Sequence, residues 1–138
     1  MKKWMALSFI LVSILATMGM GEMGGAVPAD KTPTPEKNFA VRVADREDVQ
    51  TSLSQFSQDG KVFLAGKRGS ATVSIPFEKI SRVEMGGAEG NDLRVKVSLR
   101  NGESLDLRIE KKARFFGKAD FGSFQIEGKD LKTIQFLP

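Results

Sequence analysis

Residues 64–85 read LAGKRGSATVSIPFEKISRVEM, and residues 115–136 read FFGKADFGSFQIEGKDLKTIQF. The apolar positions of the two stretches match at a constant spacing of 51 residues, and a Gly-Lys pair recurs at Gly66-Lys67 and Gly117-Lys118. The matched apolar pairs are Val73 with Phe124, Ile75 with Ile126, Ile80 with Leu131, Val83 with Ile134 and Met85 with Phe136. Self-similarity at one fixed spacing is typical of a repeated structural unit. The sequence therefore predicts two similar β halves, about residues 39–86 and 92–138.

Residues 93–109 show most clearly the alternation of apolar and polar residues along the chain. Apolar residues alternate with polar ones over 93–99 and again over 105–109, which is typical of strands with one buried face. A two-residue turn at Asn101-Gly102 would set apolar residues opposite polar ones. A three-residue loop instead pairs Val97 with Leu105 and keeps one face apolar, with Gly102 in the left-handed position of a bulge. The second register is therefore predicted.

Further strands are predicted from the same alternation. They cover residues 39–43, 61–65, 71–75, 81–85, 122–127 and 132–137. The links 76–80 and 127–131 are predicted to be short turns, each of about one turn of 3₁₀ helix, that place Ile80 and Leu131 in the core. Residues 66–70 are interpreted as a β-turn and residues 86–92 as a flexible connection between the halves.

Residues 49–56 are ambiguous. Val49, Leu53 and Phe56 are spaced like one face of a helix. However, residues 41–43 match residues 95–97, which favours a strand. With no convincing long helix, we expect an all-β fold, either a small β-barrel or a two-sheet β-sandwich of about eight short antiparallel strands.

The first 29 residues resemble a secretory signal peptide. Lys2 and Lys3 precede an apolar run over residues 4–20, and the small residues that follow predict cleavage after Ala29 or Ala26. The alternative is an uncleaved membrane anchor formed by residues 4–20, which is close to the lower length limit for a span. Residues 30–38 are polar and contain two prolines, which indicates a flexible tether before a single domain over 39–138. We expect a periplasmic or secreted protein, or one anchored to the membrane.

The residue types that are missing limit the chemistry. The sequence has no histidine, cysteine or tyrosine. The usual ligands for zinc, copper and haem are therefore lacking, and no metal, cofactor or catalytic residue is predicted. Asp45, Glu47 and Asp48 form one acidic turn, which leaves a carboxylate-dependent hydrolase as an alternative because such enzymes use paired carboxyl groups.

The charge pattern points to a protein or envelope partner and not to nucleic acid. The net charge is +4, but Lys and Arg are interleaved with Asp and Glu, whereas nucleic-acid binders cluster their positive charge. The densest basic stretch lies at residues 111–118, and the repeat adds its counterpart at residues 67–68. The predicted ligand- or partner-binding residues are Lys67, Arg68, Lys111, Lys112, Arg114 and Lys118. The alternative is that these charges are solvated and keep sheet edges from pairing.

We therefore expect an exported, non-catalytic β domain that is a binding or adaptor module in the cell envelope. Its partner would be an envelope protein or an anionic envelope component. The first alternative is a structural or oligomerising domain that pairs through sheet edges, with residues 132–137 as the candidate edge. The hydrolase is the second alternative.

Overall fold

A computed structural model describes residues 32–138; the predicted signal segment and its cleavage sites lie outside the described residues. The described chain forms one antiparallel sheet of ten strands. They are β1 (Val41–Asp45), β2 (Gln50–Gln58), β3 (Phe63–Arg68), β4 (Ala71–Pro76), β5 (Ile80–Glu89), β6 (Asp92–Leu99), β7 (Ser104–Glu110), β8 (Arg114–Ala119), β9 (Gly122–Glu127) and β10 (Leu131–Phe136). Two single 3₁₀ turns, Phe77–Lys79 and Gly128–Asp130, precede β5 and β10. Over residues 32–138 we find no helix long and apolar enough to cross a membrane.

The strand order has an internal twofold pattern. Across the sheet the order is β4-β3-β7-β6-β5-β10-β1-β2-β8-β9, so two five-strand halves meet where β5 pairs with β10. Val83 lies opposite Ile134 in that pair, and these are equivalent positions at the spacing of 51, so the pseudo-twofold axis passes between them. The hairpins β1–β2 and β6–β7 correspond at a spacing of 54, since Val41 faces Leu53 as Val95 faces Leu107.

Short connections force this sheet to curl into a half-barrel. β2 is the eighth strand across the sheet and β3 is the second, so a flat sheet would separate them by about 29 Å. Four residues, 59–62, join the two strands. An extended chain of that length spans at most about 17 Å. The link from β7 to β8 is shorter still, at residues 111–113, and imposes the same curvature.

The concave face carries the core. Alternate residues of the central strands are buried, including Val41 and Val43 in β1 and Val95 and Val97 in β6. Ile80 and Leu131 are fully buried directly after the two 3₁₀ turns, as predicted. Burial of such aliphatic side chains contributes about 1.5–3 kcal/mol each, which makes this face the main source of stability in a chain without cysteine.

Several sequence predictions agree with the structure. The β6–β7 hairpin has the predicted register, with Val97 opposite Leu105, and Gly102 has a φ of +96°. The ambiguous segment 49–56 lies in a strand, β2. The all-β, antiparallel class is confirmed. The strands form a single curled sheet of ten, whereas about eight strands in a small barrel or a two-sheet sandwich were expected.

Other predictions were wrong. β8 was missed, and β5 continues through Gly86 to Glu89, so the halves are joined by a tight turn at Gly90-Asn91 and not by a flexible connection over 86–92. β10 lies in the middle of the sheet between β5 and β1, so residues 132–137 are not an edge. In the part of the chain that the structure describes, the free edges of the sheet are β4 and β9.

The repeated glycines lie inside strands and not in turns. A Cβ atom on Gly66 of β3 would lie 2.9 Å from the carbonyl oxygen of Arg108 in β7. A Cβ atom on Gly117 of β8 would lie 3.0 Å from the side chain of Leu53 in β2. These positions therefore require glycine because two chain segments approach closely at each of them.

Residues 32–38 have no regular secondary structure, but they contact the domain. Pro35 is buried. Lys37 forms an ion pair with Glu78 at 3.3 Å, and the Asn38 side chain accepts a hydrogen bond from the Gln55 amide at 2.8 Å. This part of the predicted tether therefore lies along the sheet.

Candidate functional site

The six predicted binding residues lie in three places. Lys67 and Arg68 belong to β3, Arg114 and Lys118 belong to β8, and Lys111 and Lys112 form the turn between β7 and β8. Lys67 and Lys118 are equivalent positions of the two halves, as predicted from the repeat, but they lie in strands where loops were expected. Because the six residues lie in three places, they do not form a single patch.

The lysine corner, which we define as Lys111, Lys112 and Lys129, is the clearest cluster of basic side chains. It borders a groove of about 450 Å³ that is also lined by Asn91, Asp92 and Glu110. Lys129 belongs to the second 3₁₀ turn and is far from the other two in sequence. Sequence reasoning missed it because only the tertiary structure brings that turn against the β7–β8 turn.

Backbone hydrogen bonds hold the lysine corner in place. The Lys111 amide donates to the Asn91 carbonyl at 3.0 Å, and the Lys129 amide donates to the Lys111 carbonyl at 3.0 Å. The Gly128 amide donates to the Ala113 carbonyl at 2.8 Å. Three chain segments that are distant in sequence are therefore joined at one point. These bonds fix the positions of the backbone atoms from which the lysine side chains extend.

The charges at the corner are mixed. Lys129 Nζ lies 3.4 Å from Asp130 and 3.6 Å from Glu127. The hydrogen bond to Asp130, together with the negative charges of Asp130 and Glu127, raises the pKa of Lys129 above its usual value. Within residues 32–138, Lys111 and Lys112 make no ion pair. These two lysines therefore carry the free positive charge of the site.

A second groove adjoins the corner along the seam between β3 and β7. It has a volume of about 310 Å³ and shares Asp92 and Glu110 with the first groove. Lys67 and Arg108 line it and form the one pair of facing residues between the two strands. Gln58, the last residue of β2, also lines this groove, and its side-chain oxygen accepts a hydrogen bond from the Ala65 amide at 3.0 Å. Lys67 is thus the one β3 candidate that lies beside the lysine corner.

The remaining candidates face other neighbours. Lys118 lies opposite Ser54 of β2 and Ser123 of β9, in the other half of the sheet. Arg114 lies opposite Glu127, and Arg68 lies opposite Ala71 at the end of β3. Of the six predicted residues, Lys111 and Lys112 therefore share one groove and Lys67 lines the groove beside it.

The acidic turn is occupied by structural contacts. The Asp45 side chain accepts hydrogen bonds from the amides of Glu47 at 2.8 Å and Val49 at 3.0 Å. The Asp48 carboxylate pairs with the Lys132 ammonium. Asp45 thus closes the β1–β2 turn in the way that Asp commonly closes turns, and Asp48 joins that turn to β10.

Metal ligands are not grouped in the described part of the chain. Among residues 32–138, no cluster of three or more acidic side chains is arranged so that it could hold a metal ion.

The fold and the corner define a small half-barrel domain with a groove lined by charges of both signs. A family model described as "Uncharacterised protein" matches residues 35–137, and the chain belongs to that family. An uncharacterized protein of Aquifex aeolicus (strain VF5) is 26% identical to this chain over 136 residues. The match covers 99% of this chain and 96% of that protein.

Proposed function

We propose that this chain is an exported, non-catalytic β domain that binds a partner protein in the cell envelope, and that the lysine corner is its contact surface. Export to the periplasm or the exterior is supported by the basic and then apolar pattern of the first 29 residues. The adaptor role is supported by the lysine corner, whose backbone is held by hydrogen bonds between three chain segments.

One observation carries the proposal: two lysines without ion pairs stand on a backbone that three hydrogen bonds hold in place beside a groove. Fixing the backbone before binding lowers the entropy that is lost on association. A solvated lysine that only maintained solubility would not need such a fixed position.

The mixed charge of the groove favours a protein partner over a uniform polyanion. Asp92 and Glu110 line the same groove as the lysines and would repel a dense row of phosphates. A protein surface carries both signs of charge and can complement both. Acidic side chains of the partner would face Lys111 and Lys112, and basic ones would face the two carboxylates.

The side chains present support binding over catalysis. The sequence has no histidine or cysteine, and Asp45 and Asp48 are already engaged by the β1–β2 turn and by Lys132. The hydrolase alternative therefore has less support than the binding module.

The test is photo-crosslinking in the cell. A photoreactive residue is placed at position 112 in one variant and at position 118 in another, since both lysines are exposed. We expect position 112 to form a specific covalent adduct with one envelope protein, whereas position 118 forms none. Identification of the trapped protein names the partner.

Charge reversal then tests the surface itself. Lys111→Glu with Lys112→Glu should abolish the adduct made through a photoreactive residue at Asn91, which lines the same groove. Lys79→Glu with Lys118→Glu changes the net charge equally at two exposed lysines and should leave the adduct intact. Equal adduct yields from both double variants would contradict the proposal.

A further inference from the structure

We infer that β4 is a self-pairing edge through which two copies of this chain form an antiparallel dimer with one continuous sheet. β4 is the first strand across the sheet and has a single neighbour, β3. Among residues 32–138, the backbone groups on its other side therefore lack a strand partner. An extended chain is the natural occupant because it can complete the ladder of hydrogen bonds.

The sequence of β4 lacks the usual protection of an edge. Natural edge strands are commonly blunted by charged side chains, prolines or bulges. Residues 70–77 contain no charged residue, and β4 is rich in Thr, Val and Ile, which favour strands. Pro76 is the last residue of β4, so it ends the pairing without interrupting it.

The opposite edge, β9, is better protected. It is the pseudo-symmetric counterpart of β4, but its last residue is the charged Glu127, Asp120 lies two residues before it, and Gly122 has a φ of +143°. Four of the six residues of β4 are exposed, compared with two of the six in β9. The two edges thus differ, and β4 is the barer one.

The side-chain pattern of β4 is complementary to itself. Val73 and Ile75 face inward, opposite Gly66 and the buried Leu64, and both pack only partly against the core. An antiparallel pair centred on Val73 places Val73 opposite its own copy and Ala71 opposite Ile75. The apolar residues would then stay together on the inner face. On the outer face, Thr72 would lie opposite Ser74 of the second copy.

This arrangement also closes the assembly. A twofold pair of β4 strands covers the β4 edge of both copies, so the assembly stops at two. Pairing of β4 with β9 of another copy would leave an edge for a further copy and would produce an open chain of molecules. A second copy therefore fits β4 better than an unrelated extended chain, because every contact on both faces is matched by the twofold operation.

Cysteine cross-linking tests the register directly. The chain has no native cysteine, so an introduced thiol reports a single contact. Val73→Cys should form a covalent dimer on mild oxidation, because facing Cβ atoms in antiparallel strands lie about 4.5–5.5 Å apart. Phe124→Cys at the equivalent position of β9 is the matched control and should form no covalent dimer.

Sedimentation of paired charge variants tests the same alignment. Thr72→Lys with Ser74→Lys would place lysines opposite each other twice per dimer and should weaken association about tenfold or more. Thr72→Lys with Ser74→Glu would place opposite charges there and should preserve the dimer. Both positions are exposed in the single chain, so circular dichroism should show an unchanged fold for each variant.

Three results would overturn the inference. They are a strict monomer for the unmodified protein at high concentration, equal cross-linking of Val73→Cys and Phe124→Cys, and equal dissociation of the two charge variants. The inference does not depend on the lysine corner, so Lys111→Glu with Lys112→Glu should dimerise normally even if it loses its envelope partner.

Discussion

The two ends of the core occupy equivalent places in the fold but are built from different side chains. At one end five phenylalanines pack together: Phe39, Phe56, Phe77, Phe115 and Phe136. Phe77 is at the centre, with ring centroids 4.9 Å from Phe136 and 5.5 Å from Phe56. The equivalent positions at the other end are Leu93, Ile109, Gly128, Leu64 and Met85, once the extra residue of the β2 bulge is taken into account.

Phe77 and Gly128 are equivalent positions that fill the two ends of the core differently. Both residues begin a 3₁₀ turn. Phe77 fills the aromatic end with a ring, whereas Gly128 brings its main chain close to the core, since a Cβ atom there would lie 3.6 Å from Leu93 and Ile109. Both residues donate an equivalent backbone hydrogen bond, Gly128 to the Ala113 carbonyl at 2.8 Å and Phe77 to the Val62 carbonyl at 3.0 Å. At the Gly128 end the Lys129 amide also donates to the Lys111 carbonyl, and this bond helps to build the lysine corner. One copy of the turn stabilises the core, and the other forms a surface.

The equivalent strand contacts of the two halves, β2 with β8 and β7 with β3, also differ. β2 and β8 face each other at three pairs of residues, with a bulge at Gln55, whose φ is +53°. β7 and β3 have one such pair, and the rest of their seam is the groove beside the lysine corner. The β2–β8 contact beside the aromatic end is therefore closed, and the β3–β7 contact beside the aliphatic end is open.

The largest expected effect is at the centre of the aromatic end. Phe77→Ala should lower the free energy of unfolding by about 3–5 kcal/mol, because it removes a fully buried ring and leaves a cavity. Gly128→Ala is the matched change at the other end. Its new methyl group would meet neighbours at 3.4–3.6 Å, so a change of less than about 1 kcal/mol is expected. Urea unfolding of both variants checks this, and similar losses would show that the two ends are energetically equivalent.

An intermediate effect is expected at the strand glycines. Gly117→Ala and Gly66→Ala each introduce a methyl group within about 3 Å of another strand. Overpacking of this kind typically costs about 1–3 kcal/mol. We expect Gly117→Ala to be the more destabilising, because the closed β2–β8 seam has less freedom to widen than the open β3–β7 seam. Thermal unfolding measures the difference, and the reverse order would mean that the groove does not reflect a looser seam.

The smallest expected effect concerns the pH dependence of the lysine corner. Because the pKa of Lys129 is raised in the folded protein, its contacts with Asp130 and Glu127 stabilise the fold fully below the ordinary lysine pKa of about 10.4. This contribution is lost as the pH rises through the folded pKa. Lys129→Met should therefore be slightly less stable than the unmodified protein at neutral pH, and the difference should shrink in alkaline solution.

Denaturant unfolding at a series of pH values checks this prediction. A difference that stayed constant up to the most alkaline pH at which the protein folds would contradict it. Lys132→Met is a useful comparison, because Lys132 pairs with Asp48 of the β1–β2 turn and not with Asp130 or Glu127.

Local patterns were sufficient to predict the hairpin register and the core turns. The register of β6–β7 followed from the parity of its apolar residues, since a slip of one residue would turn Val97 and Leu105 to the wrong face. β8 was missed because it does not alternate: Phe115, Phe116 and Gly117 are all buried. A strand covered on both faces has no period of two, so its pattern cannot be distinguished from that of a loop or a short helix.

The sequence by itself determined the strand class, the repeat spacing of 51 residues and the identity of the core face. These are local properties, because the alternation of side chains across a strand depends only on neighbouring residues. The tertiary structure decided which strands lie at the edges, that β10 is central, and that Lys129 joins Lys111 and Lys112. These features depend on the β2–β3 and β7–β8 connections, which run from one half of the sheet to the other. The arrangement that they produce is stabilised by contacts between residues far apart in the chain.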